Sequence, residues 1–424
     1  MIYAVFYIPY FFIKRKFHSL MIQRFGFIPN DILKKIRGKE VVWLHAVSVG
    51  EVMLLKPLVS RIRSLYPDAF ILISTITKTG FDVAKNIVPD NAGGVIFAPL
   101  DLSFITKKVI KIFKPKIFFV VETEIWPNLF ISLRKFNIPT FLINGRISDS
   151  SFKRYMLVRS IVKFVIKKID TFFVQTETDA DRFAKLGASR EKIKVCSSLK
   201  FDYVDANNLK PQAASIENIF NMILNKNEKQ ILFVAGSTHD PEEKIILKMA
   251  KKIIGEYSSV IFVIAPRHVD RIEKIKQSAE KLNLKYMVFS DIKDSKSVDA
   301  ARVIFIDKMG ILHQIYKFAD IVFVGGSLAK KGGHNIIEPA RFKKPILFGP
   351  FMYNFSSISS IFLKKDSAML VKNEKDLRRL TERLINSDEQ RRLFGQKAYN
   401  VVIENEGATE RILNDTKIFL NNNN

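Results

Sequence analysis

The stretch Val41–Glu51 reads Val-Val-Trp-Leu-His-Ala-Val-Ser-Val-Gly-Glu. Its first residues are apolar and partly β-branched, which predicts a buried strand. The pattern breaks at Ser48 and Gly50, and a long helical pattern begins at Glu51. A carboxylate is therefore expected at the strand-end edge where open α/β sheets bind ligands. Because a helix N-terminus stabilises negative charge, we expect Glu51 to be ionised and able to act as a base, with a purely helix-capping acid as the alternative.

The alternation of strand and helix continues on both sides of a polar stretch. Residues 25–208 hold one βα series and residues 230–395 a second, whereas residues 209–229 are polar around a short apolar helix and are predicted to be a linker. Continuous apolar strands between helices indicate parallel sheets covered on both faces. The sequence therefore predicts an α/β fold of two doubly wound, Rossmann-like domains facing across a cleft, which is the GT-B plan. Residues 396–424 are predicted to be helices and a disordered tail.

Composition limits the possible partners. The chain has 424 residues, of which 47% are hydrophobic, and a formal net charge of +26. That basicity indicates an anionic partner, namely nucleic acid, a phospholipid surface or a phosphorylated substrate, and a long basic helix is predicted from about Ser150 to Lys168. No nucleic-acid-binding motif is apparent, so nucleic acid is not among the expected partners. Cys196 is the single cysteine, which excludes an internal disulfide framework, and no Cys/His cluster has zinc spacing.

Residues 1–24 are predicted to form a membrane anchor. An apolar, aromatic run, Met1–Ile13, is followed at once by Lys14, Arg15 and Lys16. Thirteen helical residues reach roughly 20 Å, short of a ~30 Å hydrocarbon core. A secretory signal carries its charges before the apolar part instead. An interfacial anchor on the cytoplasmic side of an anionic membrane is therefore expected, with a helix packed on the protein itself or a tilted single span as alternatives.

Two polar motifs follow strands in the first half. Glu122-Thr123-Glu124 precedes Ile125-Trp126-Pro127-Asn128, so two carboxylates stand beside an indole, with a capping role for either acid as the alternative. Lys200 lies in Ser198–Asp202 at the end of the last strand of this half. A lone lysine is usually solvated, but this position predicts that it neutralises a substrate carboxylate or phosphate.

The second half carries the pattern of a nucleotide pocket. Pro266-Arg267-His268 ends a strand, and Arg267 is expected to hold a phosphate bidentately, with a surface ion pair as the alternative. Gly325-Gly326-Ser327 and Gly332-Gly333-His334 precede Asn335–Ala340, a predicted helix start. Glycines let backbone N–H groups approach an anion, and Glu338 is suited to accept hydrogen bonds from ribose hydroxyls. For the histidines, including His239, His334 and His45, hydrogen-bonding roles are favoured over catalysis.

Five motifs occur together in order: His45–Glu51, Glu122–Asn128, Ser198–Asp202, Pro266–His268, and Gly325–Leu328 with Gly332–Asn335. In these residues the chain resembles the 3-deoxy-D-manno-octulosonate (Kdo) transferases, and the resemblance covers nearly its whole length. It implies a CMP-Kdo donor, a lipid IVA acceptor, and an inverting transfer without metal or cofactor. It also implies a place in lipopolysaccharide synthesis on the cytoplasmic side of the inner membrane.

The resemblance also assigns site residues. Glu51 matches the proton acceptor, and Glu122 and Lys200 match positions that support the transition state. The CMP-binding segments correspond to Pro266, Arg267, Met309, Gly310, Ile311, Asn335, Ile336, Ile337 and Glu338. Many relatives carry an acid where this chain has Ile311, so only a backbone contact would survive there. The alternatives are a nucleotide-sugar 2-epimerase or UDP-sugar transferase on the same fold, and a non-catalytic membrane-binding or nucleic-acid-binding protein.

Overall fold

The computed structural model describes residues 19–88, 91–202, 212–224, 230–292 and 301–421. Most of the predicted N-terminal anchor and the final asparagines lie outside these residues. The chain divides into two compact units, one formed by Met1–Val204 with Glu406–Asn424 and the other by Asp205–Asn405. The end of the chain thus returns to the first unit, which the sequence pattern does not indicate. No helix within the described ranges is long and apolar enough to cross a bilayer.

The first unit is built on a parallel sheet of seven strands in the order β3-β2-β1-β4-β5-β6-β7. The strands are β1 (Val41–His45), β2 (Phe70–Thr75), β3 (Gly93–Phe97), β4 (Ile117–Val121), β5 (Thr140–Gly145), β6 (Thr171–Val174) and β7 (Ile193–Val195). Every residue of β1, β2, β4 and β5 is buried, as expected of strands covered on both faces.

Helices cover both faces of this sheet. They are α1 (Asn30–Lys35), α2 (Val49–Leu65), α3 (Lys78–Ile87), α4 (Ser103–Phe113), α5 (Pro127–Lys135), α6 (Asp149–Leu157), α7 (Arg159–Ile166) and α8 (Glu177–Leu186). Apolar side chains of α2, α3 and the C-terminal helix form one core. Those of α1, α4, α5, α7 and α8 form the other.

Two helix boundaries differ from the predicted ones. Helix α2 begins at Val49, two residues before Glu51, because the Ser48 side chain caps it. Gly50 therefore lies in the first helical turn and does not break the pattern. The basic helix predicted from about Ser150 to Lys168 is instead two helices, α6 and α7, because the backbone leaves helical geometry at Val158, with φ −117° and ψ 30°.

The second unit repeats the plan with a seven-stranded parallel sheet in the order β10-β11-β9-β8-β12-β13-β14. Its strands are β8 (Ile231–Thr238), β9 (Val260–Pro266), β10 (Tyr286–Val288), β11 (Val303–Phe305), β12 (Ile321–Val324), β13 (Ile346–Phe348) and β14 (Met369–Leu370). The predicted α/β fold with two doubly wound units is confirmed.

The remaining helices are α9 (Gln212–Ile223), α10 (Glu242–Glu256), α11 (Ile272–Lys281), α12 (Leu312–Tyr316), α13 (Ile337–Arg341), α14 (Ser356–Lys364), α15 (Glu374–Ile385), α16 (Asp388–Asn405) and α17 (Ala408–Asn421). Helix α9 is the short apolar helix expected in the linker. It packs on the second unit, where the buried Phe220 ring stacks on Phe318 with centroids 5.1 Å apart.

Each sheet has a central switch point, on either side of which the chain adds strands in opposite directions. In the first sheet this switch point lies between β1 and β4, and in the second between β8 and β12. Loops leaving the carboxyl ends of two such strands diverge to opposite sides, which opens a crevice where α/β folds bind ligands. The segments that follow these strands contain many of the residues singled out from the sequence.

Candidate active site

Three predicted catalytic side chains come together at the carboxyl edge of the first sheet. Glu51 follows β1 and Glu122 follows β4, the two strands of the switch point, and Lys200 follows β7. The charge of Glu122 acts on the pKa of both Glu51 and Lys200. Loops distant in sequence therefore contribute to one charged site.

Glu51 is held in place by a capping box at the start of α2. Its carboxylate accepts hydrogen bonds from the Val47 N–H and the Ser48 hydroxyl, both at 2.8 Å. Its own N–H donates to Ser48 Oγ at 3.4 Å. Glu51 therefore does cap the helix, and the capping hydrogen bonds orient its carboxylate. Burial raises the pKa of Glu51, these hydrogen bonds oppose the rise, and the charge of Glu122 adds to it. A raised pKa makes the ionised carboxylate a stronger base.

Glu122 has a strained backbone. Its φ of 59° lies in the left-handed region that residues with a Cβ seldom adopt. Its N–H donates to the Ile143 carbonyl at 2.9 Å, so the neighbouring strand holds it there. Burial raises the pKa of Glu122, while the charges of Lys200 and Arg146 lower it. Burial lowers the pKa of Lys200, and Glu122 opposes that change. Strain of this kind concentrates at functional sites.

Glu124 belongs to the same cluster, although the resemblance assigns it no role. Trp126 Nε1 donates a hydrogen bond to its carboxylate at 3.2 Å. Burial raises the pKa of Glu124 to about 7, and the charges of Glu51 and Glu122 contribute to the rise. A group with this pKa exchanges protons at neutral pH, which marks it as a candidate for function. In the sequence it is only one of two adjacent acids, so the signal is the crowding of carboxylates in space.

His45 packs against Trp126, the indole that contacts Glu124. Its ring stands edge-on to Trp126, with centroids 5.3 Å apart. His45 Nδ1 is hydrogen-bonded to Ser74 Oγ at 2.8 Å, and the same oxygen accepts from Trp43 Nε1. Burial lowers the pKa of His45 to about 4, so the ring is neutral at physiological pH. The structure gives His45 a hydrogen-bonding role.

A latch positions the loop that carries Lys200. Asn144, at the end of β5, has a φ of 55°, which asparagine tolerates better than most residues. Its buried Oδ1 accepts hydrogen bonds from Ser198 Oγ at 3.1 Å and from the Leu199 N–H at 3.0 Å. Its carbonyl accepts from Gln175 Nε2 at 3.0 Å. The sequence marks Asn144 only as a strand end, because its partners lie far along the chain.

In the second unit, Pro266 is buried at the end of β9 and Arg267 is exposed just beyond it. No acidic side chain in the described part of the chain pairs with Arg267, so the surface ion pair considered above is absent there. Burial and neighbouring positive charge, including that of Arg267, lower the pKa of His239 and of His334 to about 4. Arg267 therefore lies near enough to act on two neutral imidazoles, whose Nε2 atoms are 2.9 Å apart.

A buried acid occupies the glycine turn after β12. Glu242, in the first turn of α10, accepts hydrogen bonds from the N–H groups of His239 and of residues 326–329, at 2.7–3.1 Å. The expectation that the Gly325-Gly326-Ser327 turn offers its N–H groups to a ligand anion is therefore wrong. The turn is an anion-binding nest, but its anion is a side chain of the protein. Gly325 is required because a Cβ there would lie 2.6 Å from the Ser237 carbonyl oxygen.

The predicted ribose-binding segment has the expected helix start. Asn335 Oδ1 accepts from the Ile337 N–H at 3.1 Å, and its Nδ2 donates to Glu338 Oε1 at 3.0 Å. The second oxygen of Glu338 lies 4.0 Å from His313 Nδ1. Glu338 is thereby oriented in the first turn of α13. Ile336 and Ile337 are buried, so only their backbone groups can contact a ligand.

The third predicted CMP segment precedes α12. Met309 is exposed and Gly310 has a φ of 81°, a left-handed conformation that glycine adopts without strain. The Ile311 side chain is buried, so a ligand could contact this residue through its backbone but not through its side chain. Within the residues described by the structure, no three or more His, Cys, Asp or Glu side chains are grouped to hold a metal ion.

Comparisons with known proteins agree with this organisation. A family model for 3-deoxy-D-manno-octulosonic-acid transferase matches residues 20–203. The chain is 32% identical over 409 residues to the 3-deoxy-D-manno-octulosonic acid transferase of Haemophilus influenzae, covering 96% of this chain and 93% of that protein. It is also 32% identical over 410 residues, or 96% of its length, to a bifunctional glycosyltransferase/methyltransferase of Fusobacterium nucleatum, of which it spans 62%.

Among solved structures, the UDP-GlcNAc 2-epimerase of Neisseria meningitidis has a similar fold, with a TM-score of 0.61 and 13% identity over 89% of this chain and 99% of that one. Two doubly wound units with charged loops at their switch points define a protein of the GT-B class. The chain belongs to the 3-deoxy-D-manno-octulosonic acid transferase family. The resemblance seen in the sequence is thus confirmed, and the family's activity is the transfer of Kdo in lipopolysaccharide synthesis.

Proposed function

We propose that this chain transfers Kdo from CMP-Kdo to lipid IVA, with inversion and without a metal or cofactor, at the cytoplasmic face of the inner membrane. The observation that carries the proposal is the cluster of Glu51, Glu122 and Lys200 at the switch point of the first sheet. Membership of the family supports the nature of the sugar. The net charge of +26 supports an anionic lipid surface as a partner.

In the proposed reaction, Glu51 removes the proton from an acceptor hydroxyl. The hydroxyl oxygen forms a bond to the anomeric carbon of Kdo as the bond from that carbon to the CMP phosphate oxygen breaks. CMP leaves with the electron pair, on the face opposite the attack. The capping hydrogen bonds fix the Glu51 carboxylate for this task, and burial strengthens it as a base. A positioned general base typically contributes ~10²–10⁴-fold.

Lys200 and Glu122 act together in this scheme. Lys200 supplies a positive charge for the Kdo carboxylate or the departing phosphate, and Glu122 keeps the ammonium protonated despite its burial. The Asn144 latch holds the backbone just before Lys200. Fixed cationic groups can stabilise negative charge that develops in a transition state, so the step requires no metal ion.

For the donor, Arg267 is proposed to hold the CMP phosphate and Glu338 the ribose hydroxyls. Arg267 is exposed at a strand end and has no acidic partner within the described ranges, so its donors are available. The backbone of Met309–Ile311 and of Asn335–Ile337 is proposed to contact the rest of CMP. The Gly325–Ala329 turn shapes this region but does not bind the phosphate, because Glu242 already takes its N–H groups.

Product analysis by mass spectrometry tests the proposal. The full chain is incubated with CMP-Kdo and tetra-acyl lipid IVA, with and without EDTA, and in parallel with UDP-sugars. We expect the lipid mass to increase by one or more whole Kdo units, equally with and without EDTA, and not with UDP-sugars. Transfer from a UDP-sugar alone would contradict the donor assignment, and loss of transfer in EDTA would contradict the metal-independent mechanism.

A further inference from the structure

An apolar surface is exposed where α6 meets α7. Leu157 is 86% exposed, Ile161 63% and Phe164 55%. Ile161 and Phe164 lie three residues apart on one side of α7, and Leu157 ends α6 just before the break at Val158. Val162, Val165 and Ile166 of α7 are buried in the core. We call the exposed residues, with the neighbouring Met156 and Val158, the α6–α7 surface. Large apolar side chains grouped in this way mark interaction sites on proteins.

Positive charge surrounds the α6–α7 surface. Between Ser150 and Ile169 the chain has no acidic residue, and its cations are Lys153, Arg154, Arg159, Lys163, Lys167 and Lys168. Lys168 Nζ lies 4.6 Å from the centre of the Phe164 ring. An apolar face bordered by lysine and arginine is the pattern of a helix that lies in the interface of an anionic membrane.

A basic cavity lies against α7, the helix that carries Ile161 and Phe164. It measures about 420 Å³, and its cationic lining residues are Arg159, Lys163, Lys167 and Lys192. Ile166 and Phe172 contribute an apolar part of the lining. Because cations and apolar groups lie side by side here, the cavity fits the phosphate headgroup of a lipid.

We infer that the α6–α7 surface inserts into an anionic phospholipid leaflet, with lipid phosphates at the adjoining basic cavity. The inference rests on the proposed function, since it supplies the route by which a lipid acceptor meets the site. It concerns a membrane contact separate from the predicted N-terminal anchor. A second copy of the chain fits this surface poorly, because a symmetric contact would place six cations against six cations.

This contact would lie beside the catalytic cluster. Tyr155, the residue before the surface, donates from its hydroxyl to the Thr123 carbonyl at 3.4 Å. Burial raises the pKa of Tyr155, and the charge of Glu124 contributes. The α6–α7 surface therefore begins next to a side chain that contacts the Glu122–Glu124 loop. Insertion of Leu157 would bring the leaflet close to the carboxylates that are proposed to deprotonate a lipid-borne hydroxyl.

An environment-sensitive fluorophore tests the inference in the full chain. Cys196 is replaced by serine, and the fluorophore is attached at Leu157→Cys. Ile403→Cys on α16, where the native side chain is 48% exposed, is the matched control. With phosphatidylcholine vesicles containing phosphatidylglycerol, we expect a blue shift of the emission at position 157 and none at position 403. If only the N-terminal segment binds, both labels will stay in water, and that result would overturn the inference.

A second set of variants measures the contribution to binding. Leu157→Gln/Ile161→Gln/Phe164→Gln is expected to lower vesicle partitioning at least about tenfold, because three apolar side chains lose their insertion. The control Leu393→Gln/Ile403→Gln should stay within about twofold, since these residues lie away from the cation-rich segment. A blue shift at position 157 that grows with protein concentration without vesicles would instead indicate self-association and overturn the inference. Neither assay requires sugar transfer, so failure of the proposed reaction would be seen separately.

Discussion

The variant Glu242→Gln tests whether the buried Glu242 carboxylate holds the glycine turn at the switch point of the second unit. Glu242 Oε1 accepts from the N–H groups of Ser327, Leu328 and Ala329, and Oε2 accepts from those of His239 and Gly326. Glutamine keeps the volume but replaces one accepting oxygen with an NH₂ group. The smaller loss results if the NH₂ group takes the place of Oε2, where two N–H donors then face another donor.

The magnitude follows from those two lost contacts. A hydrogen bond to a charged group contributes about 1.5–3 kcal/mol, so Glu242→Gln should destabilise the turn by roughly 3–6 kcal/mol. Since 1.36 kcal/mol corresponds to a factor of ten, the amides of residues 326–329 should exchange with deuterium about 10²–10⁴-fold faster through local opening. Hydrogen-exchange mass spectrometry of peptides covering this turn measures that change.

The control is Glu256→Gln on the same helix, α10. Its carboxylate pairs with Arg378 at 2.7 Å, but the Glu256 side chain is 50% exposed. Exposed pairs contribute at most about 1 kcal/mol, so exchange at residues 326–329 should not change in this variant. If Glu242→Gln exchanges at the native rate in the turn, the conclusion that the carboxylate occupies the glycine nest is refuted.

Further predictions concern three other residues. The pKa of Glu124 is about 7 in the folded protein, above its ordinary value, so the native state binds a proton more tightly than the unfolded state and stability falls as pH rises from about 4.5 to 7. Glu124→Gln should remove this pH dependence of the urea unfolding midpoint. An unchanged slope of the midpoint against pH would contradict the prediction. Asn144→Ala should lower the free energy of unfolding by about 2–4 kcal/mol, because two hydrogen bonds are lost and alanine is strained in the left-handed conformation. The control is Asn137→Ala: Asn137 is exposed and also left-handed, with a φ of 54°, so this variant should lose only about 1 kcal/mol. Equal losses of the two variants in urea unfolding would refute the latch. Arg267→Ala should weaken CMP binding about 10–100-fold in calorimetry, and wild-type affinity would remove its assigned role.

Much of the fold could be predicted because its strands are buried on both faces. In β1 and β4, burial requires continuous apolar runs, and such runs stand out against the polar loops that follow them. The sequence indicates Glu51 and Glu122 for the same reason, since Glu122 directly follows such a run and Glu51 lies in the first helical turn after one. Their position at a sheet edge follows from local sequence and general topology.

Other features depend on contacts between distant residues. The glycine turn looks open in the sequence, but its N–H groups are taken by Glu242, which lies 84 positions before Gly326. Glu124 and Glu122 look equivalent as nearby acids, and burial raises the pKa of both, but only for Glu122 do cations, Lys200 and Arg146, oppose that rise. The break at Val158 is hidden within one continuous helical pattern, because only the backbone geometry of the folded chain shows it.

The transfer rate of Glu51→Gln with CMP-Kdo and lipid IVA tests the central claim most directly. Glutamine can still accept the Val47 hydrogen bond, so the variant should keep a melting temperature near that of the wild type and bind CMP within about twofold. We expect its transfer rate to fall by at least about 10²-fold, because it cannot take up the acceptor proton. A folded, CMP-binding Glu51→Gln variant that transfers Kdo at close to the wild-type rate would contradict the account.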